Sequence, residues 1–448
     1  MLNKKFSFYD EASGNSFVIN NVITQDIGQK CCASNITVRN GIIEKIEHLP
    51  LNPQEINEDD FYLTPGFVNS HLHPNQLFDR GILDDLAITS LLSNMHKNSQ
   101  KTFADRYIQS LFTLMDAIRS GATSIYAVAS EPEPVIQSFK FLNLSGAVAC
   151  FFNDQWEGLG NSPKQTSIKQ VEKIFADLYQ YNNSQLKIHI GSSSIQSASD
   201  DLLLLFNDIA KNYNTKVNIH ISEGSEAVAS CIKHRGTTPI RLLKQLNVLN
   251  SRWNLIHATT IDEEEIKIIA DSGAAIIHCP VSNAKTGVGI APITELIRHN
   301  VTIGLGTDAC SNNNTNNILN EAYFAKLLQC GTHKNPMVLT EQTLLEWLTI
   351  NGYKMLDLPQ HGILTIGEPA NLLIWSLKEP AFVPLSYGNF NSTIFNNAPD
   401  IKPHSIILNG KRIINNYKFI YPREEEILRE ANNRANKIVH STCSTAEA

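Results

Sequence analysis

Five stretches in the middle of the chain decide the fold: LKIHIG (186–191), KVNIHIS (216–222), WNLIHA (253–258), AAIIHC (274–279) and VTIGLGTD (301–308). Each is a short apolar run rich in branched residues, as a strand covered on both faces requires, and polar residues gather where the runs end. Toward the N-terminus GFVNSH (66–71), ATSIYAVA (122–129) and GAVACFF (146–152) have the same character, which brings the number to eight. Helix-compatible patterns fill the intervals at 104–120, 132–142, 167–181, 200–213, 238–246, 262–272 and 293–299, several of them closing on Gly or Asn as a C-cap does. Strand and helix alternating eight times predict an α/β fold, a (β/α)8 TIM-type barrel over 65–365, whose chemistry sits at the C-terminal ends of the strands.

The two chain ends read differently. SFVINNVIT and NITVRNGIIEKIEHL near the start, and NLLIWSL, SIILNGKRIINN and YKFIY near the end, are β-like pieces arranged around Asn-Gly turns. They predict one small β-sandwich-like domain composed of 1–64 and 366–421. The remainder, 422–448, predicts a charged helix over 424–440 and a loose tail, STCSTAEA. The cluster SNNNTNN (311–317) follows the eighth strand directly and is a candidate site loop.

Composition narrows the function. Hydrophobic residues at 42% and charged residues at 18% of 448 exclude disordered, collagen-like and coiled-coil classes. A net charge of -7 and a pI near 6.1 leave no positive field for a polyphosphate, so no nucleic-acid partner is expected. The eight cysteines (31, 32, 150, 231, 279, 310, 330, 443) include no CxxC pair, which argues against a disulfide framework and a thiolate zinc site. No run approaches the ~18 consecutive apolar residues of a membrane span, and the first residues lack a continuous apolar signal segment. A cytoplasmic protein without a membrane partner is the expectation.

The strand ends carry a constellation. HLH places His71 and His73 two residues apart, so both imidazoles project to one side of an extended chain. His220 and Glu223 end the fifth strand, His257 the sixth and Asp308 the eighth. Three imidazoles and a carboxylate form a borderline-hard donor set suited to one divalent ion, Zn2+ first and Fe2+ as the alternative. Singly these residues read as hydrogen-bonded core groups or helix caps; jointly they would leave a polar group buried without a partner at every one of these ends unless they share a ligand. His278, beside Cys279 and Pro280, either shapes a turn or takes a catalytic part. His189 reads as structural, and Cys279 and Cys310 as small packing residues.

PGFVNSHLH, HISE, LIHAT, HCPVSNAKTGVGIAPI, GLGTDACSNN and GEPANLLIW resemble, in order and spacing, the amidohydrolase superfamily, in its branch of cytosolic deaminases and triazine hydrolases. The resemblance extends over about residues 10 to 420. It implies a mononuclear metal site with His71, His73, His220 and Asp308 as ligands, and Glu223, His257 and Asp308 as catalytic groups. The end of the fourth strand has no lysine, so the carbamylated dinuclear site of other relatives is not implied. The stretch 219–292 is most similar to formiminoglutamate iminohydrolase, as is Gln76 after HLHPN. Ser193 and Gln196 stand where that enzyme has a histidine and a carboxylate-gripping arginine, so Gln76, Ser193 and Gln196 are the candidate substrate-binding positions and a glutamate side chain is not the expected substrate. In the nucleoside-deaminase branch the acidic residue that holds ribose falls at Gln100 and the substrate-facing histidine again at Ser193. Arg80-Gly81 matches the branch, with a salt bridge inside the barrel as its expected role.

A bound metal lowers the pKa of water from 15.7 toward ~7 and supplies hydroxide at neutral pH. On the implied roles, Asp308 orients that hydroxide and takes its proton, Glu223 protonates the nitrogen of a C=N bond, and His257 stabilises the adduct. The expected function is a metal-dependent hydrolytic deaminase acting on an amidine-like carbon of a small heterocycle or of a formimino or guanidino compound. A biosynthetic hydrolase or cyclase acting on a guanidino or triazine-like substrate, and a barrel that binds without catalysis, are the alternatives. The expected partner is a small-molecule substrate, and the expected assembly a homo-oligomer, a dimer.

Overall fold

The computed structural model describes residues 6–10, 14–25, 31–82, 84–86, 101–158, 161–385, 389–420 and 423–444. Gln100 lies outside the described residues. Seven continuous parallel strands, Phe67–His73, Ala122–Ala129, Ser145–Phe151, Leu186–Ser192, Val217–Ile221, Trp253–His257 and Ala275–His278, pair in sequence order. The eighth is split. Ile303–Leu305 pairs with the seventh strand and Asp308–Ala309 with the first, so the break is where the ring closes. All eight predicted strands are present and form the (β/α)8 barrel.

Each helix predicted between the strands is also present, with ends shifted by a residue or two. Others carried too little pattern to be read. Helix Gly224–Arg235 buries only Gly224 and Cys231, so no apolar stripe announces it. Helix Ile350–Leu356 seals the barrel at the end away from the predicted site: the Tyr353 hydroxyl accepts from Ser124 at 3.0 Å, and the Met355 carbonyl accepts from Asn254 Nδ2 at 3.1 Å. Tyr353, Met355 and Leu356 join Val68, Ile256 and Ile277 in one buried cluster inside the barrel.

The chain ends join in one nine-stranded sheet. Its main path runs Lys418–Phe419, Lys411–Asn415, Ser405–Leu408, Leu372–Ser376, Phe61–Pro65, Phe17–Thr24, Cys32–Arg39, Ile42–Leu49, with Ser7–Asp10 paired to Phe17–Thr24 at the side. Alternation along the strands decides which side chains face which core. Leu63, Leu372 and Ile374 belong to the cluster of this sheet, whereas their neighbours Tyr62, Leu373 and Trp375 pack into the main core with Phe67 and Ile118. The two Asn-Gly turns touch: Asn40-Gly41 and Asn409-Gly410 all have φ between 47° and 80°, and a Cβ on Gly41 would meet the Asn409 carbonyl oxygen at 2.6 Å. Only glycine fits both that conformation and that approach.

The last helix, Glu424–Ser444, buries Ile427 and Ala431 and is tied to helix Phe103–Arg119 by Arg434 and Asp105 at 2.9 Å. It corrects the expectation of a loose tail from Ser441, since no glycine or proline interrupts the run and the helix propagates to Ser444. Residues 445–448 lie outside the described residues.

Candidate metal centre

The first strand ends at His73, the fifth just past His220, and the second piece of the eighth starts at Asp308, so all three deliver side chains to the same rim of the barrel. His73 Nε2 lies 3.1 Å from His71 Nε2 and 3.2 Å from His220 Nε2, and the His71 and His220 nitrogens are 3.2 Å apart. Asp308 Oδ1 stands 3.4 Å from His71 Nε2 and 3.3 Å from His73 Nε2. Donors around a tetrahedral zinc at ~2.0–2.1 Å are roughly 3.3 Å apart, so the spacing fits one shared ion. Protonation agrees. Burial holds the His71 imidazole down at about 4 and that of His220 well below the usual range, so both present lone pairs. Burial alone would raise the Asp308 carboxyl, but the imidazoles of His71 and His73 facing its Oδ1 hold it well below the carboxylate range. These four are a His/His/His/Asp metal site, with ligand atoms all within 4.8 Å of one another.

Backbone geometry aims the side chains. His257 and Asp308 occupy left-handed backbone at φ 75° and 63°, as does Ser222 at 49°, a conformation that non-glycine residues adopt at a cost of about 1–3 kcal/mol and that gathers at functional sites. Gly306, in the break of the eighth strand, lets that strand close against the first: a Cβ there would sit 2.5 Å from His71 Cβ.

Glu223 and His257 stand beside the ligands. Glu223 Oε1 is 3.5 Å from His257 Nε2, and burial raises the Glu223 carboxyl above its ordinary value. His257 Nδ1 lies 2.8 Å from Asn283 Oδ1, which assigns the ring hydrogen to Nδ1 and leaves Nε2 toward Glu223. The other oxygen of Asp308, Oδ2, accepts from Ser282 Oγ at 2.5 Å and from Asn312 Nδ2 at 3.1 Å. Sequence reasoning missed Asn283, Ser282 and Asn312. The first two lie in HCPVSNAK, where the family resemblance assigns the polar residues no role; the third is in SNNNTNN, the cluster after the eighth strand.

A cavity of about 640 Å³ opens over this group, lined by His73, His220, Glu223, His257 and Asp308, with Trp156, Phe151 and Val128 as apolar wall. Of the three substrate-binding candidates, Gln76 and Ser193 line it. Gln76 Nε2 lies 3.3 Å from His73 Nδ1, and its Oε1 accepts from Ser311 at 3.0 Å. Gln196 corrects the expectation: it is absent from the lining, and its Nε2 donates to the Ala227 carbonyl at 3.0 Å, which turns the amide onto helix Gly224–Arg235. Lys101, Arg106 and Lys164, which sequence reading did not single out, line the cavity with Glu131 and Asp79 as their ion-pair partners.

The remaining residues fall as follows. Arg80 pairs with Asp116 at 2.7 Å, the salt bridge expected of it. His189 Nδ1 meets the Tyr126 hydroxyl at 2.5 Å inside the barrel. His278 is fully buried outside the cavity lining, with no hydrogen-bond partner on either ring nitrogen among the described residues, and burial lowers it to about 3.

The family model described as "Amidohydrolase family" matches residues 62–413. The chain belongs to the amidohydrolase family. This amidohydrolase is 30% identical over 374 residues to a 5'-deoxyadenosine deaminase of Methanobrevibacter smithii, a match covering 82% of this chain and 85% of that one. It is 27% identical over 400 residues to a 5-methylthioadenosine/S-adenosylhomocysteine deaminase of Pyrococcus furiosus, covering 88% and 94%. Among solved structures, the zinc complex of an atrazine chlorohydrolase from Arthrobacter aurescens superposes with a TM-score of 0.85 at 20% identity, over 93% of this chain and 99% of that one. A zinc-bound adenosine deaminase from Xanthomonas campestris superposes at 0.83 and 20% identity, over 94% and 98%. The amidohydrolase is thus a hydrolase of C–N bonds on a barrel with a His/His/His/Asp metal site. No described helix is long and apolar enough to cross a membrane.

Proposed function

We propose that this amidohydrolase is a zinc-dependent hydrolytic deaminase that adds water to the amidine-like carbon of an aminopurine nucleoside and releases ammonia. The observation that carries the proposal is that the ligand cluster and the Glu223–His257 pair open into the same cavity. His71, His73, His220 and Asp308 would hold a divalent cation, which when bound would lower the pKa of water toward ~7. Asp308, whose Oδ2 is occupied by Ser282 and Asn312, keeps Oδ1 toward the histidines and takes the proton that the water gives up. Glu223, raised by burial, keeps a proton more readily than an exposed glutamate and passes it to the ring nitrogen as the C=N bond becomes single. With its Nδ1 hydrogen donated to Asn283, His257 presents Nε2 as an acceptor that aligns the attacking water; Asp308 hands the proton it took to the departing amine, which leaves as ammonia, while Glu223 takes up the hydroxyl proton of the adduct as the carbonyl forms. Trp156 and Phe151 supply apolar surface against which a planar heterocycle stacks. Gln76 and Ser193, at the rim, offer hydrogen-bonding groups to its substituents.

The names of the curated relatives support an adenine nucleoside that differs from adenosine at its 5' position, and the zinc in two structural relatives supports zinc over ferrous iron. The proposal further places the enzyme in the cytoplasm as a homodimer, to be checked by fractionation and light scattering. Ammonia release from zinc-loaded protein, screened over 5'-deoxyadenosine, 5'-methylthioadenosine, adenosine, guanine, aminotriazines and guanidino acids, tests the chemistry. Release from an adenine nucleoside is the expected result. Release from a triazine or guanidino acid alone moves the substrate class, and a protein that retains zinc but releases ammonia from none of them fits a non-catalytic binding barrel.

A further inference from the structure

Glu321, on helix Ile318–His333, is fully buried and has no part in the steps above. Each of its oxygens accepts from a different segment of the barrel mouth. Oε1 accepts from Asn313 Nδ2 at 2.5 Å, after the eighth strand, and Oε2 from the Val281 backbone N–H at 3.2 Å, after the seventh. Asn313 cannot turn round, because the same Nδ2 also donates to the Thr307 carbonyl at 2.7 Å. Both neighbours therefore present hydrogens, and the side chain between them has to accept at both oxygens, which a carboxylate does and a carboxamide does not. Burial raises the carboxyl above its ordinary value while the hydrogen bonds from Asn313 and Val281 oppose that rise, so the ionised form that accepts at both oxygens depends on these two donors.

The segments it joins carry the outer partners of the centre. Next to Val281, Ser282 donates to Asp308 Oδ2, and Asn283 holds His257 Nδ1. Next to Asn313, Asn312 donates to the same Asp308 oxygen, and the Thr307 carbonyl that Asn313 grips belongs to the residue just before Asp308.

We infer that Glu321 is a positioning residue: by tying the loops after the seventh and eighth strands together it sets Ser282, Asn312 and Asn283, and through them the orientation of Asp308 and His257. The inference rests on the metal centre of the proposed function but on no particular substrate. Glu321 acts only through its neighbours, so its replacement keeps all four ligands and alters how well Asp308 fits the ion.

The test uses Zn2+ and Co2+ alone as probes on the full-length protein, with circular dichroism of the metal-free variants to establish that they fold. Glu321→Gln is expected to lower zinc affinity by ~10–100-fold in competition with a chromophoric chelator and to alter the visible bands of the Co2+ protein. Combined with Ser282→Ala, the losses should be less than additive, because both changes act on one aspartate. Zinc affinity and cobalt bands equal to wild type, or losses that simply add, would overturn the inference. If Glu321→Gln does not fold, Asn313→Ala leaves the carboxyl in place, cuts its link to the loop after the eighth strand together with the grip on the Thr307 carbonyl, and is read by the same measurements. A wild-type protein that takes up no zinc overturns the metal centre itself, an outcome distinct from equal affinities in wild type and variant.

Discussion

Strands of the terminal sheet and of the barrel both end up buried, but they hide different things. In the sheet, Tyr62 and Trp375 face the barrel while Leu63 and Ile374 face the sheet's own cluster, and the polar atoms that go inside are matched: Trp375 Nε1 donates to Thr64 Oγ1 at 3.1 Å, and the Tyr62 hydroxyl to Asn391 at 2.9 Å. At the barrel mouth His71, His220, His257 and Asp308 are as deeply buried, two of them on left-handed backbone, and the Nδ1 atoms of His71 and His220 have no partner among the described residues. One region minimises its free energy locally. The other holds polar groups in a costly arrangement that a shared ion repays.

That contrast can be broken at single residues. The largest effect is expected from His71→Ala, which removes a ligand without touching the terminal sheet: metal, read by elemental analysis, and ammonia release should fall together, and retained zinc would take His71 out of the site. Asn283→Ala leaves every ligand in place but frees the His257 ring, so turnover should drop by ~10–100-fold at near-normal zinc content. Turnover equal to wild type would mean that the ring needs no such support. Gly306→Ala drives a methyl into His71, an overpacking costing about 1–3 kcal/mol in urea denaturation, with weakened zinc retention as its particular signature.

His278 tests the mouth through pH. Its folded-state value of about 3 lies below the ordinary 6.5, so between those limits the unfolded chain binds the extra proton. Stability from this group is therefore complete above pH 6.5 and is lost as pH falls toward 3, at roughly 1.4 kcal/mol per pH unit. His278→Gln should flatten the acid limb of the metal-free protein by about that slope, and an unchanged limb would show that the ring is protonated in the fold. Smallest of all, Trp375→Phe in the terminal sheet should cost about 1 kcal/mol from the lost Thr64 hydrogen bond, with zinc content and turnover intact. Loss of zinc in that variant would mean that the two regions are coupled after all.

The ligand set was legible because same-side projection follows from extended backbone at HLH, and because the other donors close their own apolar runs. Helix Gly224–Arg235 was not, since it lacks an apolar stripe, and the same helix explains Gln196: its amide is drawn to the Ala227 carbonyl by a segment that sequence reading left unassigned. Gln76 and Ser193 each follow a strand end that carries them to the cavity, Gln76 with its amide between His73 and Ser311.

By itself the sequence determined how many strands there are, which residue types stand at their ends, and that the two chain ends pair. The first two are properties of local periodicity; the third follows from the same β-like pieces around Asn-Gly turns standing at both ends of the chain. Only the tertiary structure decided that the eighth strand breaks at Gly306 to close the ring, that Ser282 and Asn312 share one oxygen of Asp308, and that Glu321 binds two loops at once. The hydrogen bonds among those contacts join residues 4 to 40 apart, and ring closure pairs Asp308 with Leu72 from the first strand; separation in the chain says nothing about hydrogen-bond direction, and barrel closure sets which atom faces which.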